Sequence, residues 1–163
     1  MPAEETRIGI LSHLYANSGT YGSPSWLDID LVSDLAVNPT YNEGESTARR
    51  TLVQTFEPTT LALELPGKIR VDRTDAAFLL FEQAFHNRLV LDLMALNGAS
   101  DQNLSSGYRF DGRIFGFSED QAMGNVLFKE FTIKPCASTN LPKFVAVVGG
   151  TPTFIDFGNL TGS

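Results

Sequence analysis

Only one stretch of this chain carries the three-and-four spacing of an amphipathic helix. Between Thr74 and Asn87, the residues Ala77, Phe78, Phe81, Ala84 and Phe85 recur so that they share one face. Thr74 is the expected cap, and Asp75 at the first helical position suits the positive end of the helix dipole. Asn87 and Arg88 supply the stop. At about 1.5 Å per residue, that helix is roughly 21 Å long. One helix of this size cannot close a core alone, so its aromatic stripe needs a sheet to cover it.

The rest of the sequence supplies strands. In Trp26 to Val37, Leu27, Ile29 and Leu31 alternate with Asp28 and Asp30, the period of a half-buried strand with one acidic face. Pro39 to Arg50 is polar, without apolar period, and reads as a long loop or arm. Thr51 to Leu65 is extended, with Leu61, Leu63 and Leu65 alternating and Pro58 marking a bulge or edge; Pro66 and Gly67 are expected to end it. Leu89 to Leu96 is a strand. Gly107 to Phe117 and Asn125 to Lys134 read as a strand pair, joined by a short polar connector and ended by Pro135. Lys143 to Phe157, around Gly149-Gly150, is either a hairpin added to the sheet or a sticky arm. Residues 1–25, rich in Gly, Ser and Pro breakers, read as a loosely structured extension. The expected class is therefore α+β, mainly β, with one helix.

Charge narrows the function. The chain of 163 residues has a formal net charge of -7, which argues against a protein that grips nucleic acid through its phosphates. Residues 1–48 hold seven acids and one base, a local net of -6, so nearly all the imbalance lies in the first third. That is either an ordinary solvated face or a surface that repels another polyanion. No window holds the ~18 apolar residues of a membrane span, and the start, with Glu4 and Glu5, shows no secretory signal. The single cysteine, Cys136, excludes an internal disulfide and any multi-cysteine metal site.

Catalytic constellations are not apparent. His13 and His86 are the only imidazoles, and neither stands at metal-ligand spacing from a carboxylate. His86 falls in the last helical turn, where a structural role is expected. The acid pairs Asp28/Asp30, Glu43/Glu45 and Glu119/Asp120 are close in sequence but have no cleft implied around them. The expectation is a non-enzyme with no catalytic residues, no metal and no cofactor. A ligand-carrying acidic β-barrel and a carboxylate hydrolase stand as alternatives from other classes.

Four segments in order, WLDIDLVSDLAVNPTYNEGESTARR from Trp26, TFEPTTLALEL from Thr55, TDAAFLLFEQAFHNRLVLDLMALNG from Thr74 and YRFDGRIFGFSEDQAMGNVLFKEFTIKP from Tyr108, resemble phage tail tube proteins (major tail proteins). The resemblance runs from Trp26 to Pro135. It implies a division into an N-terminal extension (1–25), a tail-tube-like domain (26–135) and a C-terminal extension or arm (136–163). It implies a β-sandwich or rolled sheet flanked by one α-helix and closing into a hexameric ring. Rings then stack into a tube that conducts the DNA genome during ejection; with no other signal in the sequence, a virion tail of the long flexible kind is the expectation. The same resemblance leaves open the tube or ring protein of a contractile injection or type VI secretion apparatus. The implied partners are further copies of the chain, together with tail terminator, tape measure and distal tail proteins. DNA passes without specific binding and no membrane is involved. The protein would reside in the virion tail, and in host cytoplasm during assembly.

Within that frame, Asp28 and Asp30 are the expected lumen-facing groups; six copies at -7 give -42 per ring. Asn42, Glu43, Gly44, Glu45, Arg49 and Arg50 are the expected arm between rings and subunits, with the four ionic residues available for charge pairs that set register.

Overall fold

A computed structural model describes residues 13–47, 52–119 and 126–157 and shows what covers the helical stripe. The elements in chain order are β1 (His13–Asn17), β2 (Trp26–Asp28), β3 (Val32–Ser33), β4 (Asn38–Glu45), β5 (Phe56–Arg70), α1 (Ala76–His86), β6 (Leu91–Leu96), β7 (Ser106–Glu119), β8 (Phe128–Pro135), β9 (Lys143–Val148) and β10 (Thr151–Asp156). The main path runs β2-β1-β6-β7-β8-β5-β3, with β4 attached to β5, and with β9 joined to both β7 and β10. All these pairings are antiparallel.

Strand β7 is the hinge of the architecture. Its first half, Ser106 to Arg109, has β9 on one edge, and its second half, Gly112 to Glu119, has β8. The sheet therefore forks along β7, and a register shift between Ile114 and Gly116 adds local twist. The β9 branch packs Val145 and Val147 into a small second cluster with Tyr15, Met94 and Leu96. The main path turns its other face toward α1, with Leu14, Ala16, Leu93 and Phe110 from β1, β6 and β7, and Leu65, Ile69, Phe131 and Ile133 from β5 and β8. Ala77, Phe78, Phe81 and Ala84 of the helix complete this core. Phe81 meets the Phe131 ring edge-on at 5.3 Å between centroids, a favourable arrangement of ring quadrupoles. The expected helix-on-sheet, mainly β class is what the chain adopts.

The helix is shorter at its start than its sequence suggests. Asp75, not Thr74, is the N-cap, with its carboxylate accepting from the Phe78 N–H. Thr74 is recruited elsewhere: its hydroxyl and its amide both donate to Asp72. A two-residue Asx turn thus competes with helix initiation and wins. Those bonds stabilise the ionised Asp72 and hold its pKa below the ordinary carboxylate value, with Arg70 adding a smaller pull in the same direction. At the other end Asn87 caps, and Arg88 takes a left-handed φ of 55°.

Three other readings change. The Trp26–Val37 strand is two short strands, β2 and β3, separated by a turn at Asp30 and Leu31. Strand β5 does not end at Pro66-Gly67 but continues to Arg70. The carbonyl of Pro66 accepts from the Ala36 amide, on the side away from β8. In extended backbone the N and the C=O of one residue point the same way, so the missing proline N–H costs the β8 ladder nothing. Gly67 is needed there for space, because a Cβ would lie 2.8 Å from the Phe131 ring. Finally, β1, placed in the loosely structured extension by its neighbours, is an internal strand between β2 and β6.

Candidate functional site

The polar segment expected to be a loop is a strand. β4 pairs with the first half of β5 from Asn38–Glu64 out to Glu45–Phe56, with a register shift between Tyr41 and Glu43. Beyond Leu63 the hairpin leaves the core, and Phe56 to Thr60 of β5 and Asn38 to Glu43 of β4 are exposed. Its turn is tied by the Ser46 amide donating to the Thr55 carbonyl, and by the Thr55 amide donating to the Thr47 hydroxyl. The segment lacks apolar period because both faces are wet. What makes it a strand is the backbone ladder to β5. Yet it is not a purely polar hairpin, since Tyr41 and Phe56 are 55% and 51% exposed and Leu52 and Val53 protrude from the turn. Two-stranded ribbons without a covered face are marginal in water, and apolar side chains on one mark it as a surface for contact.

The expected arm residues fall out as follows. Asn42, Glu43, Gly44 and Glu45 lie in β4; Arg49 and Arg50 lie outside the described residues. The register puts Glu43 and Glu45 on the same face as Phe56 and Pro58, and Glu57 on the opposite face with Gly44. Gly44 lies close over its neighbour, where a Cβ would sit 2.9 Å from the Thr59 methyl.

Asp28 and Asp30 are both exposed, with Ile29 buried between them. Asp28 ends β2, and its Oδ2 lies 3.2 Å from His13 Nδ1; Asp30 stands in the turn that follows. His86 is structural, its Nδ1 donating to the Glu82 carbonyl one helical turn back at 2.8 Å.

Sheet edges are a second feature. Gly149 and Gly150, both at positive φ (63° and 76°), make the two-residue turn between β9 and β10. Val148 and Thr151, which flank it, then exchange hydrogen bonds, and Pro152, Phe154 and Asp156 turn their backbone groups outward. The Val147 amide and carbonyl bond to Ser105 and Leu104, away from β10, as this pattern requires. Among the described residues no strand pairs with this outer edge of β10, which offers amide donors at Phe154 and Asp156 but none at Pro152, and so limits the ways another strand can pair with it.

Beneath that edge lies a group that sequence reasoning missed. Arg109, its side chain only 4% exposed, donates from Nε and Nη2 to the two oxygens of Asp92 at 3.1 and 2.7 Å. A further Nη2 bond of 3.0 Å reaches the Tyr21 carbonyl, and Asn17 Nδ2 donates to Asp92 Oδ2 at 2.9 Å. The rings of Tyr21, Phe154 and Trp26 surround the guanidinium, with centroids 3.9, 4.5 and 4.9 Å from Cζ. This lock fastens β10 and the β1–β2 loop to β6 and β7. Within one strand, Arg109 reads as one polar residue of an alternating pattern, and nothing local says that three rings from elsewhere will bury it.

Two further arrangements complete the surface. Asp111 is buried and accepts from Ser138 Oγ at 2.6 Å and Asn140 Nδ2 at 3.2 Å, which fixes the β8–β9 connection. At the root of the hairpin, Leu61, Leu63, Pro135, Leu141 and Phe157 line an open apolar groove of about 490 Å³. Among the described residues, no three His, Cys, Asp or Glu side chains gather as metal ligands. No helix among them is long and apolar enough to cross a membrane.

No protein-family model matches the chain, and no curated protein sequence does. Similarity lies with solved structures. A chain of the SPP1 tail tube superposes with a TM-score of 0.65 at 11% identity, over 79% of this chain and 75% of that one. A chain from the tail of an empty GTA particle, refined with C6 symmetry, gives 0.60 at 10% identity, over 77% and 92%. A chain of the PVC extracellular contractile injection system, in its extended sheath–tube complex, gives 0.56 at 11% identity, over 89% and 95%. At these identities the shared property is the fold.

Proposed function

We propose that this protein is the structural subunit of a phage tail tube. Six copies close into a ring, rings stack, and the bore conducts the DNA genome during ejection. The observation that carries the reading is the β4–β5 hairpin. It projects from the core and exposes aromatic and aliphatic side chains that an isolated monomer would not keep in water. The outer edge of β10, unpaired among the described residues, adds a second unfinished surface. In a monomer such edges are an aggregation hazard, whereas in a ring they are satisfied by the next copy through a head-to-tail contact that closes by symmetry. The likeness to the SPP1 tail tube and to a C6-symmetric tail supports both the fold and the sixfold ring.

In this reading the arm, Asn42 to Glu45 with Arg49 and Arg50, bridges subunits of neighbouring rings. Asp28 and Asp30 face the bore, where carboxylates repel passing phosphates and keep DNA from sticking. The partners are further copies of the chain and the terminator, tape measure and distal proteins of a long flexible tail. The site of action is the virion tail, after assembly in host cytoplasm, with no enzymatic step and no cofactor. Electron microscopy of the purified full chain should show rings or tubes about one sheet thick around an open channel. A protein that stays monomeric at high concentration, alone and with its tail partners, would end this reading. For the bore, Asp28→Lys with Asp30→Lys should leave tubes intact but slow DNA ejection from assembled particles; unchanged ejection removes the assignment.

The match to the PVC sheath–tube complex, which covers 89% of this chain, favours one second reading, the tube of a contractile injection apparatus. A tube of that kind binds a sheath along its outer wall. Co-sedimentation of assembled tubes with a sheath protein from the same gene cluster separates the two.

A further inference from the structure

Strands β7 and β8 set two like charges side by side. Arg113 and Lys134 are direct cross-strand partners, both exposed, on the sheet face opposite α1. Facing like charges destabilise a strand pair. Among the described residues no ion pair reaches either one. The acids around them form no ion pair with either. Asp111, two residues before Arg113 on the same face, is tied to Ser138 and Asn140. Glu130, on the same face of β8, pairs with Lys68. Glu64, the β5 residue next in register beside Lys134, makes no ion pair with it. Phe115, the bulge residue, is 59% exposed, with Lys134 Nζ 5.9 Å from its ring centroid.

The hairpin carries the complement. On one of its faces Glu43 and Glu45 stand with the exposed Phe56. Two carboxylates at alternate positions of a strand are roughly 7 Å apart, and two cross-strand cations roughly 5 Å. Long side chains bridge that difference, so each carboxylate can take one cation while Phe56 lies on Phe115. The contact cannot form within one chain. Glu45 and Phe56 are roughly 25 Å along β5 from Glu64, the residue beside Lys134.

We propose that the Arg113–Lys134–Phe115 surface is the receptor for the Glu43–Glu45–Phe56 face of a second copy's arm. The inference rests on the reading of this chain as a tube subunit and names the surface on which its arm lands. Donor and receptor are different patches of the same chain, so in the stacked rings of that reading the contact is head-to-tail and repeats from ring to ring. It also pairs the two cations that crowd each other in the free subunit.

The test is charge exchange in the full chain, read by negative-stain microscopy and by the fraction of protein that pellets as tube. Arg113→Glu with Lys134→Glu, and separately Glu43→Lys with Glu45→Lys, should each lower tube yield on the order of 100-fold through like-charge contact. Circular dichroism and melting temperature should be unchanged, since all four side chains are exposed. Combining the four changes should restore tubes. The milder Arg113→Gln with Lys134→Gln should slow elongation and remove most of its salt dependence. If wild-type protein forms tubes and either reversed pair does so equally well, or if the fourfold variant stays unassembled, this receptor assignment is wrong and the tube reading stands. If wild-type protein forms neither rings nor tubes with its tail partners present, both fall together.

Discussion

Replacing Arg109 with Met tests how the outer hairpin is held. The guanidinium makes two bonds to Asp92 and one to the Tyr21 carbonyl, inside three rings, and the two charged side chains are 4% and 13% exposed. Methionine matches much of the volume but leaves Asp92 as a largely buried anion with Asn17 as its remaining partner. Removing one member of a buried pair costs about 3 to 4 kcal/mol. For a domain of this size, each kcal/mol moves the melting temperature by about 2 to 4 °C, so Arg109→Met should melt roughly 6 to 16 °C lower. The control is Arg73→Met. Arg73 makes an equally direct contact to Glu82, at 3.0 Å, but its side chain is 70% exposed, and such pairs contribute below about 1 kcal/mol. Differential scanning calorimetry of both variants decides the matter. Hydrogen exchange should show the largest loss of protection in β10, whose Phe154 loses its cation. A second substitution, Asp92→Leu, should recover most of the loss by removing the stranded anion. If Arg109→Met and Arg73→Met shift the midpoint equally, the buried cage contributes nothing beyond a surface pair, and the argument from desolvation fails.

Three other outcomes follow from the same geometry. Gly107→Ala drives a Cβ into the Ala95 carbonyl oxygen, so β6 and β7 must separate; soluble expression should be lost, and normal yield and melting would show that the strands yield easily. Asp75→Ala removes the side-chain bond to the Phe78 amide and should cost about 1 kcal/mol in denaturant unfolding, whereas Thr74→Ala should cost the helix little, because Thr74 is not its cap. Thr74→Ala should instead raise the Asp72 pKa toward the ordinary carboxylate value, as read by NMR titration of its side-chain carbon. The sign follows from linkage: a carboxyl depressed in the folded state stabilises above its unfolded pKa, and that stability is lost as pH falls through the folded value. An unmoved titration after the substitution would contradict the assignment of Thr74 as the cause.

Much of the frame is legible in the residues alone. The apolar stripe of α1, the pairing of β7 with β8 and the Gly149-Gly150 turn all follow from period and turn chemistry, which act over a few residues. The resemblance of segment order also pointed to the fold that the chain adopts. What escaped depends on partners distant in sequence. β4 looks like a loop because neither of its faces is buried, and its strand character comes from a ladder to β5 that no local pattern records. Pro66-Gly67 looks like a stop because a proline's cost depends on which side its missing N–H faces. β1 is too short, and too close to glycine and serine, to show a period of its own.

Period and composition alone set the class of the protein, one aromatic helix laid on antiparallel strands, and the concentration of negative charge in its first third. These are sums and periods, which any chain with these residues would carry. Strand pairing across the fold is what buries Arg109 in a cage of Tyr21, Trp26 and Phe154, puts Glu43 and Glu45 on one face with Phe56, and sets Arg113 against Lys134. Each of those is a register between strands far apart in the chain. A shift of one residue would turn the same side chains to the opposite face.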